Sequence, residues 1–290
     1  MSTILLQGAP VAQAIYDQAA KTSAALTAQG VTPVLAMVRV GEDPAVLAYE
    51  ESIKKNMAKG GVSAVTAALA QGATTEKVLE TIHTLNESPI VHGIMVFFPM
   101  PEHINSEAVR HAIHPAKDVD GVTDMSLGGV FTGSGIGFAP CTAQAVMELL
   151  EYYGIELQGR RVAVVGRSLV VGRPLSMMMM AKDATVTLCH SRTSKLSEIT
   201  RKADLVVLAT GRAKAYDGEY FSEHQTVIDV GINEDPGSGK LCGDVDFGAV
   251  AIKVGAITPV PGGIGSVTTA VLVQHVVQAA KKAAERGAGK

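Results

Sequence analysis

A chain of 290 residues, 47% hydrophobic and 18% charged with a net charge of −3, has the length and composition of a soluble protein with two globular domains, each with a core of its own. Basic residues are scattered and outnumbered by acidic ones, Trp is absent and aromatics make up only 4%, so neither an electrostatic footprint nor a stacking platform for nucleic acid is present. Cys141, Cys189 and Cys242 are far apart and odd in number, which fits reduced thiols in the cytoplasm better than a disulfide set or a zinc site, and no apolar run approaches membrane-spanning length or follows a cationic leader.

In chain order, the spacing of apolar residues predicts a helix from about Ala12 to Ala28, a strand over PVLAMVRV, a helix across Val46 to Lys59, a strand near Val62 to Ala67, a helix near Thr75 to Leu85 and the strand VHGIMVFF. Alternation of this kind implies right-handed βαβ units on a mostly parallel sheet. GGVFTGSGIGF, residues 128–138, reads as a loop, and PCTAQAVMELLEYYG follows at once as a helix that joins two domains. The second half alternates again, with VAVVG, TVTLC, DLVVLAT and TVIDVGI as strands of a Rossmann-like sheet. Met177 to Met180 read as core filler on the helix after the first of these strands, and SVTTAVLVQHVVQAAKKAAE reads as a terminal helix packed on the body.

The most informative segment is VAVVGRSLVVGRP, Val162 to Pro174. A β-branched strand stops at Gly166, which permits a tight turn, and a helix opens at Gly172, where free N–H groups and the helix dipole favour a phosphate. The spacing is not G-x-G-x-x-G, so a turn that binds nothing stays open on this segment alone. NAD readers place an acid at the end of the next strand; here His190, Ser191, Arg192 and Thr193 follow TVTLC, donors and a cation suited to a 2′-phosphate, with Arg167 as a second cation. NADP is therefore expected, with NAD as the alternative, unless both arginines are merely solvated. TPVPGGIGSVTT, Thr258 to Thr269, sets an irregular backbone that can approach a ligand closely. His83, His92, His111 and His114 show no metal-ligand spacing, and His114 is assigned to the turn before Pro115.

Together with VFFPMP (Val96 to Pro101) and AKDVDG (Ala116 to Gly121), these segments resemble the methylenetetrahydrofolate dehydrogenase/methenyltetrahydrofolate cyclohydrolase family, in order and along essentially the whole chain: GEDPA with Tyr49, the P-x-P, HPAKDVDG, PCT, VVGRSLVVGRP, CHSRT, VIDVGIN, GDVDF and ITPVPGGIG. The resemblance implies an α/β protein with an N-terminal α/β folate domain over 1–145, closed by the helix 268–290, and a doubly wound Rossmann-like cofactor domain over 146–267. By the same resemblance the reaction is expected in the cleft between them and the protein is expected to be a homodimer; the composition read above gives no nucleic-acid or membrane partner. It further implies Tyr49 and Asp120 as catalytic residues, a folate site of Tyr49, Phe97, Pro99, Asp120, Pro261, Gly262 and Gly263, and a cofactor site of Gly166, Arg167, Ser168, Gly172, Pro174, Ser191, Arg192, Thr210, Gly211 and Ile232. Asp120 would accept from the donor edge of the pterin, with Asp118 as the structural alternative. Ser266 and Ala143 stand where the family has proline.

Two departures bear on activity. The family's Tyr-x-x-x-Lys reads Tyr49-Glu-Glu-Ser-Ile53 here, and the glutamine expected after Val96 is Phe97. Ring opening of the methenyl compound needs a group that manages protons, which neither residue supplies; hydride transfer needs positioning and no general base. The expectation is a 5,10-methylenetetrahydrofolate dehydrogenase of weak or absent cyclohydrolase activity. The alternatives are the ordinary bifunctional enzyme, with Lys54, Lys55 or bound water as substitute, a folate- or nucleotide-binding scaffold without catalysis, and a dehydrogenase for another small substrate. Lys54 is rotated by about 100° from Ile53 on a helix and points away from the Tyr49 face.

Overall fold

A computed structural model describes residues 3–288. Its elements begin β1 (Ile4–Leu5), α1 (Gly8–Thr27), β2 (Val34–Val40), α2 (Pro44–Lys59), β3 (Ser63–Leu69), α3 (Thr75–Glu87), β4 (Gly93–Val96), α4 (Ser106–Ala112), α5 (Asp124–Thr132) and α6 (Cys141–Tyr152). There follow β5 (Arg161–Val165), α7 (Gly172–Met180), β6 (Thr185–Cys189), α8 (Leu196–Thr200), β7 (Leu205–Leu208) and β8 (Thr226–Asp229). The short β9 (Asn233–Glu234) and β10 (Leu241–Cys242) precede α9 (Phe247–Val250), β11 (Ala256–Ile257) and α10 (Ile264–Ala288).

Two compact units result: one joins Gln13–Cys141 to the chain from Thr269, the other joins the segment ending at Ala12 to Thr142–Thr268. The first holds a parallel sheet of order β3-β2-β4. Leu35, Ala36, Met37 and Val38 of its central strand are fully buried, as an apolar run covered on both faces requires. Ala36, Val38, Ile94 and Val96 pack with Val78 and Ile82 of α3 and Val109 of α4 into its core. α2 begins where Asp43 accepts from the amides of Ala45 and Val46 with Pro44 in the first turn, satisfying N–H groups that a helix start leaves open.

The second unit holds a six-stranded sheet of order β1-β11-β8-β7-β5-β6, parallel throughout. β5 is followed by β6 on one side, and the next crossover returns to β7 on the other. The strand order therefore reverses at β5, and the carboxyl end of that strand is where sheets of this kind take a ligand. Ala163, Val165, Val206, Leu208, Val227 and Ile257 pack with Phe221 and Val250 beneath it.

Three features differ from the sequence reading. Ile4–Leu5 pairs with β11, so the residues up to Ala12, expected with the folate domain, belong to the six-stranded unit. Half of the expected 128–138 loop is helical: Thr123 caps α5 by accepting from the Ser126 amide, and the helix ends at Gly133 with φ 67°. Gly129 lies inside that helix because a Cβ there would stand 2.0 Å from the Ile136 carbonyl oxygen. Of the methionine run, Met179 is fully buried but Met180 is 54% exposed, so only part of it fills the core.

Candidate active site

In the six-stranded sheet every strand points the same way, so the loops after β5, β6, β7, β8 and β11 share one edge of it. Gly166, Arg167 and Ser168 follow β5, Ser191 and Arg192 follow β6, Thr210 and Gly211 follow β7, Ile232 follows β8, and Pro261, Gly262 and Gly263 follow β11. The parallel sheet thus collects the candidate cofactor residues at that edge.

The turn after β5 requires its glycines. Gly166 has φ 125°, and a Cβ there would lie 2.1 Å from the Ala209 carbonyl oxygen; a Cβ on Gly172 would lie 1.8 Å from the Gly166 carbonyl oxygen. The helix start is thereby drawn onto the strand end, and no side chain caps α7. Ser168 is turned inward to its own loop, accepting from the Val171 amide, and Pro174 is buried in the first turn of α7. The loop after β6 closes locally, the His190 amide donating to Thr193 Oγ1 and the Arg192 amide to His190 Nδ1. Arg167 and Arg192 are exposed and have no ion-pair partner among the described residues, so both guanidinium groups are open to an anion. A backbone cradle that a Cβ would fill, an uncapped helix start and two open cations fit a dinucleotide.

Beneath this edge lies a carboxylate that sequence reading left without a role. Asp244 is fully buried and accepts from the amides of Thr210, Gly211 and Arg212, from Thr210 Oγ1 and from Asn233 Nδ2, fixing the turn after β7. Asp229 accepts from the amides of Gly231, Asp244 and Val245; burial, reinforced by the Asp244 charge and opposed by those amides, pushes its carboxyl up to about 6.

In the other unit, Tyr49 on α2 stands edge-on to Phe97 at the end of β4, ring centroids 6.0 Å apart and planes at 79°. Pro99 follows, exposed. Burial raises the Tyr49 phenol to about 12, helped by the charges of Asp120 and Cys141, so the hydroxyl stays protonated at neutral pH. Asp120 is raised to about 6, by burial first and the Asp118 charge second, against the opposing Cys141 thiol. The Cys141 thiol is the side-chain donor that its carboxyl meets among the described residues. Asp118 is the structural acid: it is fully buried and accepts from the amides of Val122 and Thr123 and from Ser126 Oγ. His114 accepts from the Ala116 amide, serving the turn before Pro115.

Ile53, one helical turn after Tyr49, is fully buried. Lys54 is held elsewhere: its ammonium pairs with Glu50 at 2.7 Å and Glu51 at 2.9 Å. Glu50 also receives Arg39 Nε and Thr66 Oγ1; burial would raise its carboxyl, but these bonds and Lys54 bring it below the ordinary value. Lys55 is exposed. Pro261, Gly262 and Gly263 belong to the six-stranded unit, where the Gly8 amide donates to the Gly262 carbonyl at 2.8 Å and a Cβ on Gly8 would stand 2.0 Å from the Gly263 carbonyl oxygen. Among the described residues no set of three His, Cys, Asp or Glu side chains is placed to hold a metal ion, and no helix is long and apolar enough to cross a membrane.

A doubly wound sheet with this strand-end cradle defines a dinucleotide-binding α/β enzyme. The tetrahydrofolate dehydrogenase/cyclohydrolase family models match the chain in two parts, the catalytic domain over residues 6–120 and the NAD(P)-binding domain over residues 140–284. "Bifunctional protein FolD 1" of Desulfitobacterium hafniense is 47% identical over 279 residues, 96% of this chain and 99% of the relative. The crystal structure of the bifunctional FolD methylenetetrahydrofolate dehydrogenase/cyclohydrolase of Campylobacter jejuni has a TM-score of 0.94 at 38% identity, covering 97% of this chain and 99% of its own. The Trypanosoma brucei enzyme, in complex with NADP cofactor and an inhibitor, has a TM-score of 0.90 at 33% identity, covering 98% and 99%. The chain belongs to the tetrahydrofolate dehydrogenase/cyclohydrolase family.

Proposed function

We propose that this protein oxidises 5,10-methylenetetrahydrofolate to the 5,10-methenyl form with NADP. The observation that carries the reading is the Gly166–Gly172 cradle flanked by Arg167 and Arg192, which have no ion-pair partner among the described residues, with the carboxyl of Asp120 near Tyr49 in the other unit. NADP, when bound, supplies the hydride acceptor. The protein's own residues do the rest. The start of α7 and the two arginines hold phosphates, and the turn of Thr210 and Gly211, with Ile232, borders the dinucleotide. Asp120, ionised above about 6, accepts from the pterin's donor edge. The Tyr49 ring lies against the folate with Phe97 behind it and Pro99 beside them. Because the nitrogen lone pair of the folate drives the hydride out, these groups need only orient it, and orientation alone is worth roughly 7–11 kcal/mol of barrier. The Trypanosoma brucei complex supports NADP over NAD.

On ring opening, the relatives outweigh the expectation drawn from sequence. Their names, at 47% and 38% identity, support the ordinary bifunctional enzyme better than a dehydrogenase of weak hydrolase activity. The second reading, dehydrogenase alone, keeps one specific observation in its favour: a buried Ile53 and a Phe97 where proton transfer would be handled, with Lys54 tied to Glu50. Purified protein given 5,10-methenyltetrahydrofolate separates the two. Decay of its absorbance well above the buffer rate supports bifunctionality, and decay at the buffer rate supports the dehydrogenase alone.

The buried free thiols of Cys141, Cys189 and Cys242 suit a reducing compartment, and we place the protein in the cytoplasm. A homodimer follows from family resemblance, and sedimentation velocity measures it.

A further inference from the structure

We propose that His275, on the buried face of α10, is a positioning residue for Asp120: it holds the peptide that precedes this aspartate and so aims its carboxyl at the folate. The proposal rests on the reading of Asp120 as the pterin acceptor.

The backbone on each side of Asp120 is fixed, while its carboxyl meets only a weak thiol donor, that of Cys141, among the described residues. On the near side, the Val119 carbonyl accepts from His275 Nδ1 at 2.8 Å and from the Cys141 thiol at 3.3 Å. That carbonyl and the Asp120 amide share one rigid peptide plane, so the two donors set the direction in which the Asp120 Cα leaves it. On the far side, Gly121 takes φ 71° and packs so closely that a Cβ would lie 2.5 Å from the Ala139 carbonyl carbon and the Pro140 nitrogen. Asp118 closes the turn through Val122, Thr123 and Ser126. An acceptor mounted on a backbone this constrained loses little freedom on binding.

The placement of His275 suits the task. It is 4% exposed, its ring lies 4.9 Å from that of Phe138, and Lys282 covers Phe138 at 4.8 Å. A ring nitrogen at 2.8 Å from a carbonyl oxygen carries the proton, which fixes the Nδ1–H tautomer. The charged or titratable groups around it are Asp118, Lys282 and Cys141; burial lowers the imidazole to about 4, so it is a neutral donor at working pH. Cys141 alone would leave the carbonyl with a weak, long S–H bond.

The test compares His275→Leu, which removes the donor, with His275→Asn, which keeps an N–H, in the full-length protein, reading KM for 5,10-methylenetetrahydrofolate and KM for NADP separately alongside Tm. His275→Leu should raise the folate KM by about tenfold and leave the NADP KM within about twofold, and His275→Asn should recover most of the difference. A merely structural histidine would lower Tm and move both constants together or neither, and that result overturns the proposal. If His275→Leu does not fold, His275→Phe, which keeps a ring against Phe138 but has no N–H, should raise the folate KM alone by about tenfold; no change there overturns it equally. Asp120→Asn is the control. If it leaves the folate KM unchanged, the reading of Asp120 itself has failed; if it raises that KM while His275→Leu does not, only the role of His275 has failed.

Discussion

The two carboxylate centres of this protein are built on opposite plans. At the carboxyl edge of the six-stranded sheet, Asp244 and Asp229 spend their oxygens on backbone amides of their own unit, and what faces a ligand is shaped main chain with exposed arginines. Around Asp120 the reverse holds: the backbone is pinned by other groups, and the carboxyl meets only the Cys141 thiol among the described residues and is raised to about 6. A polyanionic dinucleotide is met by N–H groups and cations, whereas the donor edge of a pterin is met by an acceptor. The complementarity of each centre follows from which of its groups the fold has left unsatisfied.

The largest effect should come from removing the shape of the first centre. Gly172→Ala forces a methyl into the Gly166 carbonyl and should raise the NADP KM by about 100-fold or more, roughly 3 kcal/mol, with tetrahydrofolate affinity by calorimetry unchanged. Equal loss of both ligands would show that the two centres are not separately built. Asp244→Asn comes next. It puts an NH₂ against amides that need an acceptor, and the NADP KM should rise about tenfold, the scale of about 1.5 kcal/mol of charge-assisted hydrogen bonding, while the folate KM holds. The smallest effect sharpens the second centre. Asp120 is raised from 3.8 to about 6, so it is neutral below that value and a carboxylate above it; the folate KM should fall as pH rises through about 6, in a titration that Asp120→Asn abolishes. A profile flat across about pH 5 to 8 would remove Asp120 from the site.

How much of this was readable in the sequence depended on whether the signal was local. The strand, Gly166 and Gly172 form a contiguous pattern, and the structure places them as that pattern implies. α2 begins at Pro44 rather than at the expected Val46, with Asp43 as its cap. β1 is two residues long and pairs with a strand near the far end of the chain, so no periodicity marks it. α5 was hidden by its glycines, and the purpose of Gly129, close approach to the Ile136 carbonyl, exists only in three dimensions. Asp244 serves amides more than thirty residues away, and His275 is a single polar residue in an apolar helix bonding to a carbonyl 156 positions distant. Spacing rules carry no information about such partners. Tyr49 and Phe97 were singled out by resemblance, and their ring contact joins two elements that the sequence separates.

The most direct test of the account is the reduction of NADP by purified protein supplied with 5,10-methylenetetrahydrofolate, followed at the absorbance of reduced cofactor with NAD run in parallel. The account predicts reduction of NADP that depends on the folate and exceeds that of NAD; failure to reduce either cofactor would contradict it.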